Sequence, residues 1–342
     1  MERAPFFDDI AEGPDDGNAW WLTARDGMRV RIAAWARQAE KGTILLFPGR
    51  SEYAEKYGRT AADLAACGFA TIAIDWRGQG LADRMLDDPM VGHVHAFQDY
   101  QSDVAALLDA AEVLDLPRPF YLLAHSMGGC IGLRAVMEGL PVAACVFSGP
   151  MWGIQMADAL RPVAWSLSWS SRKIGMGHAY APGTEPESYV LSEPFETNKL
   201  TRDRDMYDHM IRHLEAHPEL GLGGPSLRWL HEALSECRAL RRKPSPPLPC
   251  LTLVGDAEEI VDVGRIHERM ARWPGGKLET INAGRHEVLM EDAATRDAIA
   301  RSICDFFDGK ADTPSRRDER SGTDGQGPTP PASSHRQRRG SA

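Results

Sequence analysis

Five short apolar runs constrain this chain more than anything else in it. They are 43–47 (TILLF), 70–76 (ATIAIDW), 120–126 (FYLLAHS), 142–148 (VAACVFS) and 250–255 (CLTLVG), each bounded by turn residues. Continuous apolar character over so few residues marks strands buried on both faces. Amphipathic segments around 60–66, 97–114 and 127–138 fall between them. Strand, helix, strand in regular order predicts an α/β fold with a mostly parallel central sheet flanked by helices. Two further runs, 18–24 and 28–35, are separated by Arg25-Asp26-Gly27 and predict an antiparallel hairpin at the sheet edge.

The rhythm breaks between about 149 and 249, where helical stretches around 156–171, 202–216 and 226–238 replace buried strands and a Pro-rich run, KPSPPLP, marks the exit. This predicts a helical cap inserted over the C-terminal edge of the sheet. The strands then resume at 250–255, with a helix near 263–272, a strand near 277–281 and a helix over 291–307. The expected layout is an N-terminal arm over 1–17, a core in two parts, 18–148 and 250–308, separated by the cap at 149–249, and a tail over 309–342. The tail holds no Val, Ile, Leu, Met, Phe, Trp, Tyr or Cys and is expected to be disordered.

Formal net charge is −10, which repels polyanions and argues against nucleic-acid binding. The six cysteines lack any CxxC spacing, which fits reduced, buried thiols rather than a disulfide framework or zinc site. The stretch 139–157 is uncharged but broken by Pro141 and Pro150, so it does not read as a membrane span. The first residues show no apolar core behind a basic flank, so a cytoplasmic location is expected.

The sharpest chemical feature is Ala124-His125-Ser126-Met127-Gly128-Gly129, directly after a buried strand and directly before a helix. A serine at so tight a strand-to-helix turn is pushed out of the sheet, and its neighbours two positions away must be small. The helix start aims N–H groups and a positive dipole end at the serine, which suits a developing oxyanion. Such a nucleophile needs a base and an orienting acid, in the order Ser, acid, His. His286 lies after the last predicted strand, where that base belongs. The acid belongs after 250–255, where Asp256, Glu258 and Asp262 crowd together. Glu258 is preferred for its place in the loop proper and its longer reach; Asp256 is second, and Asp262 reads as a helix N-cap. The oxyanion donors are expected to be the backbone N–H groups of Arg50, in Pro48-Gly49-Arg50, and of Met127.

Other constellations have plainer readings. Asp75 and Arg77 are expected to form a structural ion pair beside the site. His209, His213 and His217 share one helical face at a spacing able to bind metal, but a solvated or cap-packing face is favoured. In the cap, Trp152, Trp165 and Trp169 read equally as cap core or as an apolar wall for an acyl chain, able to rest at a lipid interface.

At this point the chain resembles the α/β-hydrolase superfamily, and within it the bacterial lysophospholipase and monoacylglycerol lipase-like serine hydrolases that share a domain type with serine aminopeptidases. The matching residues are Gly49-Arg50-Ser51-Glu52-Tyr53 with Glu55-Lys56-Tyr57, Asp75-Trp76-Arg77-Gly78-Gln79-Gly80, the Ser126 turn, Gly255-Asp256-Ala257-Glu258-Glu259-Ile260-Val261-Asp262, and Arg285-His286-Glu287. Asn198-Lys199-Leu200-Thr201 and Gly223-Gly224-Pro225-Ser226 look like the lysophospholipase branch. Two positions depart from the family pattern: Ala124 stands where glycine is expected, and Glu258 where Asp is commoner. The resemblance implies a serine carboxylic-ester hydrolase acting on a lipid-like ester, with no metal or organic cofactor and with peripheral membrane contact open to the cap. It leaves the oligomeric state open. A peptidase of the aminopeptidase type would instead need a cap acid to hold a free amine, with Glu185, Glu187, Glu193 and Glu196 available. A non-catalytic ligand-binding protein on this scaffold is disfavoured by the competent residues at 126, 258 and 286.

Overall fold

The first of the five apolar runs, Thr43–Phe47, stands in the middle of a nine-stranded sheet. In this computed structural model, which describes residues 1–157 and 159–309, the elements run β1 (Glu2–Arg3), α1 (Asp8–Ala11), β2 (Asn18–Thr23), β3 (Arg29–Trp35), β4 (Thr43–Phe47), α2 (Gly58–Ala66), β5 (Ala70–Asp75), α3 (Tyr100–Val113), β6 (Phe120–His125), α4 (Ser126–Met137) and β7 (Cys145–Ser148). There follow α5 (Arg161–Lys173), α6 (Tyr189–Ser192), α7 (Arg204–Ala216), α8 (Leu227–Arg241), β8 (Cys250–Gly255), α9 (Val263–Met270), β9 (Lys277–Ile281) and α10 (Ala293–Phe307). The sheet order is β1-β2-β3-β5-β4-β6-β7-β8-β9. Pairing is antiparallel from β1 through β3 to β5 and parallel from there on.

Both faces of the central strands are covered, as continuous apolar runs require. Leu45 and Phe47 of β4, with Leu122 and Ala124 of β6, pack in one core; Ile44, Leu46, Tyr121 and Leu123 pack in the other. The chain passes from β4 to β5 on one side and returns to β6 on the other, so order reverses beside the C-terminal ends of β4 and β6. Crevices at such reversals are where open α/β sheets place ligands.

Helix starts follow their caps. Asp203 accepts from Met206 N at 2.8 Å, Ser226 from Trp229 N at 3.0 Å and Asp262 from Arg265 N at 3.2 Å, opening α7, α8 and α9. The helix expected over 156–171 starts instead at Arg161, because Pro162 lacks an N–H and fits only a first turn. The first residues are not a plain arm: β1 extends the sheet beyond β2, and α1 follows it. From residue 310 onward the expected tail lies outside the described residues.

Candidate active site

Ser126 sits between β6 and α4 with φ of 49°, a left-handed conformation rare for a residue with a side chain. The turn is tight because α4 crosses close to the end of β4: a Cβ on Gly128 would lie 2.1 Å from the Phe47 carbonyl oxygen. Ala124, where the family pattern has glycine, is fully buried, and its methyl group faces Gly132. Space for that methyl comes from the glycine one helical level above.

His286 Nε2 lies 2.8 Å from Ser126 Oγ, and His286 Nδ1 lies 2.6 Å from Glu258 Oε2. The other Glu258 oxygen accepts from Ile260 N at 2.6 Å and Val261 N at 3.1 Å. Burial pushes the Glu258 carboxyl up, but His286 and those two N–H groups outweigh it and hold it below the ordinary carboxylate range. Asp256, by contrast, is exposed, and Asp262 caps α9. Gly149, at the end of β7 with φ of 47°, makes room for the pair: a Cβ there would lie 3.3 Å from both Glu258 Oε2 and His286 Nδ1. Sequence reasoning missed this glycine, although its place at the end of a buried strand was a signal.

Residues 198–201, from the segment between β7 and β8, brace the histidine loop. His286 N donates to Lys199 O at 3.3 Å and Glu287 N to Leu200 O at 2.8 Å. Behind the loop lies a buried charge cluster. Lys56 Nζ donates to Glu52 at 2.7 Å and Glu287 at 2.6 Å, and His125 Nε2 lies 3.3 Å from the second Glu287 oxygen. Burial pulls the His125 imidazole down, yet Glu287 and Glu52 outweigh it and raise its pKa. Glu52, His125 and Glu287 are the one grouping with metal-ligand geometry among the described residues, and the Lys56 ammonium already supplies a cation to both carboxylates.

Arg50 and Met127, the expected oxyanion donors, lie in the loop after β4 and in the first turn of α4. Gly49 N donates to Glu52 Oε2 and Ser51 N to Gln79 Oε1, while the N–H of Arg50 between them has no partner among the described residues. Met127 is in the first turn of α4, ahead of the first intrahelical acceptor. A hydroxyl, imidazole and carboxylate in this line, beside two such donors, can transfer a proton from Oγ and hold a tetrahedral oxyanion.

Ser126 and His286 open into a cavity of about 360 Å³, walled largely by apolar side chains including Met151, Leu200, Met210, Leu214 and Trp229. None of the three tryptophans expected as its wall lines it. Trp152 is buried, donates Nε1 to Gly129 O at 3.1 Å and stacks on Trp273. Trp165 meets His231 edge-on, and Trp169 is 56% exposed on the outer face of α5. Their helical spacing was read correctly, but the side of α5 that faces the core is the one bearing Ser168 and Ser171.

Residues 38–293 match the serine aminopeptidase S33 family. The chain belongs to that family. Lysophospholipase L2 of Escherichia coli is 33% identical over 297 residues, covering 84% of this chain and 86% of that protein. The probable lysophospholipase L2 of Haemophilus influenzae is 28% identical, over 79% of this chain and 84% of its own length. Among solved structures, a monoglyceride lipase from Saccharomyces cerevisiae superposes with a TM-score of 0.65 at 18% identity, over 85% of this chain and 95% of that one. A carboxyl esterase from Bacillus coagulans gives 0.68 at 17%, over 86% and 99%. These two similarities show the fold, the α/β-hydrolase fold.

One further expectation is corrected in this S33 chain. Asp75 and Arg77 do not pair with each other. Asp75 binds Arg31 at 2.8 Å and accepts from Ala54 N and Leu81 N, whereas Arg77 binds Asp103 and Asp26. β5 ends at Asp75 and Arg77 lies in the turn beyond it, so the two side chains are set by different local backbone and reach different partners. Of the two alternatives for the α7 histidines, packing is the one found: His209 and His213 are buried, and His217 turns away to Asp9 at 2.9 Å. The helix face that carries the first two packs inward, and the chain leaves α7 before His217.

Proposed function

We propose that the chain hydrolyses carboxylic esters of single-chain lipids, lysophospholipids or monoacylglycerols. The single observation that carries this reading is the Ser126 Oγ to His286 Nε2 contact of 2.8 Å, opening into a largely apolar cavity of about 360 Å³. Ser126 Oγ attacks the ester carbonyl carbon as His286 takes its proton, and the Arg50 and Met127 N–H groups hold the oxyanion. The intermediate collapses with release of the alcohol, which takes the proton from His286, leaving an acyl-serine. Water then attacks with His286 again as base, releasing the fatty acid. Glu258 orients the imidazole and stabilises its charged form. An apolar cavity suits an acyl chain. Relatives named as lysophospholipases and monoacylglycerol lipases support the same reading.

A peptidase role has less support. The acids Glu185, Glu187, Glu193 and Glu196 do not line the cavity, and the two carboxylates that do, Glu52 and Glu287, are committed to Lys56. A free amine finds no carboxylate waiting.

We also propose peripheral contact with lipid surfaces through α5. Leu160, Val163, Leu167, Trp169 and Ile174 are exposed along it, flanked by Arg172 and Lys173, while Ser168 and Ser171 face inward. No helix among the described residues is long and apolar enough to cross a membrane.

The test labels wild type and Ser126→Ala with a fluorophosphonate probe, alongside p-nitrophenyl esters of graded chain length. Labelling and chain-length-dependent turnover should both vanish in the variant. A variant that keeps full activity rules the mechanism out.

A further inference from the structure

Three buried arginines of this chain are neutralised by acids. Arg31 pairs with Glu55 and Asp75, Arg77 with Asp103 and Asp26, and Arg134 with Glu236 and Glu138. Arg84 and Arg269 lack acids but spend their donors on several oxygens each: Arg84 on the carbonyls of Gly78, Gly80 and Gly221, Arg269 on those of Lys243 and Leu240 and on Ser245 Oγ. Arg50 does neither. Its guanidinium lines the Ser126 cavity, makes one hydrogen bond, from Nη1 to Gly223 O at 2.8 Å, and lies 5.8 Å from the Trp229 ring centroid. No carboxylate pairs with it among the described residues. Burial lowers its pKa to about 10, with only Tyr100 acting the other way.

A guanidinium with spare donors facing an apolar cavity carries a desolvation cost that an anion would offset. The cavity does not supply one, because Glu52 and Glu287 both bind Lys56. The anion must therefore arrive with the ligand. Position narrows its chemistry, since the backbone N–H of this same residue is the proposed donor to the ester oxyanion. In a lysophospholipid, the path from carbonyl carbon to phosphorus runs through the ester oxygen, the glycerol carbons and a phosphoester oxygen. That path has as many bonds as the one from the backbone nitrogen of an arginine to its Cζ.

Resting on the ester-hydrolase reading above, we propose that the Arg50 side chain binds the phosphate of the substrate headgroup and makes the cavity selective for phosphate-bearing single-chain esters over monoacylglycerols. The phosphate then replaces the water that an unpaired guanidinium would otherwise hold, and the acyl carbonyl is set against Ser126.

The test compares kcat/KM for lysophosphatidylcholine, lysophosphatidic acid and a monoacylglycerol of the same acyl chain, all as monomers, in wild type, Arg50→Gln and Arg50→Lys. Arg50→Gln should lower the ratio of either lysophospholipid to the monoacylglycerol by about 10- to 100-fold, mainly through KM. Arg50→Lys should recover part of that ratio, because it keeps the charge but not the planar fork. If all three substrates fall by one common factor in Arg50→Gln, the side chain only ties Gly223 to the loop after β4, and the assignment is overturned. Wild type that turns over none of the three overturns the ester reading together with it. Inorganic phosphate should inhibit monoacylglycerol hydrolysis only at concentrations far above the KM for lysophosphatidylcholine; inhibition at comparable concentrations reassigns Arg50 to free phosphate.

Discussion

Lys56 Nζ lies 2.6 Å from Glu287 Oε1, and this ion pair joins the loop after β4 to the residue that follows His286. The same ammonium binds Glu52, whose second carboxylate oxygen accepts from Gly49 N beside Arg50, the proposed oxyanion donor. One buried cation thus ties the His286 loop to the loop after β4. Lys56→Met would strand two buried carboxylates and should cost about 3–5 kcal/mol of stability in urea unfolding. Adding Glu287→Gln should recover part of it. Full stability in the single variant would mean that the cluster is wet and relaxed.

Glu258 and Asp256 compete for the acid role on sequence, and the structure puts only Glu258 beside His286, at 2.6 Å. Glu258→Gln keeps the shape but removes the charge that stabilises the imidazolium, so kcat on a p-nitrophenyl ester should fall by ~10⁴-fold. Asp256→Asn should leave kcat within its experimental scatter. The reverse pattern would move the acid to Asp256.

Gly149→Ala asks for a methyl group at φ of 47°, 3.3 Å from Glu258 Oε2 and His286 Nδ1. The backbone strain alone should cost about 1 kcal/mol. The larger effect should be on kcat, because the methyl pushes against the hydrogen bond that orients the imidazole. Equal kcat in variant and wild type would show that β7 shifts enough to absorb it.

Acid should destabilise the fold through buried neutral histidines. Burial and His95 bring His93 down to about 4, burial and Arg59 bring His209 to about 4, and burial and His209 bring His213 to about 3. Each folded value lies below the unfolded one near 6.5. As pH falls from about 6.5 to about 4, the unfolded chain takes up protons that the folded chain refuses, so stability drops. Each such histidine contributes about 1.4 kcal/mol per pH unit in the middle of that window. Urea unfolding at pH 7 and pH 5 should show the loss, and His209→Gln with His213→Gln should flatten it. An unchanged slope in that double variant would place the acid sensitivity elsewhere.

Much of this protein was determined by sequence alone. Strand runs such as TILLF and FYLLAH could be read because burial on both faces leaves no polar position, and Ser126 because a serine between such a strand and a helix has one geometric outcome. His286 was legible from chain order and loop position, and the acid only as far as the loop that carries both Asp256 and Glu258. The wall of the cavity was not. Trp169 looks like core by spacing, yet it is exposed and α5 turns its serines inward, since which face of a short helix is buried depends on what packs against it. Nor could spacing reveal that Asp75 reaches Arg31 and Arg77 reaches Asp103, partners 44 and 26 residues away along the chain. Ion pairs of that kind are chosen by the sheet and its layers. The guanidinium of Arg50, which no carboxylate pairs among the described residues, belongs to the same class: only the folded chain shows which charges are already answered.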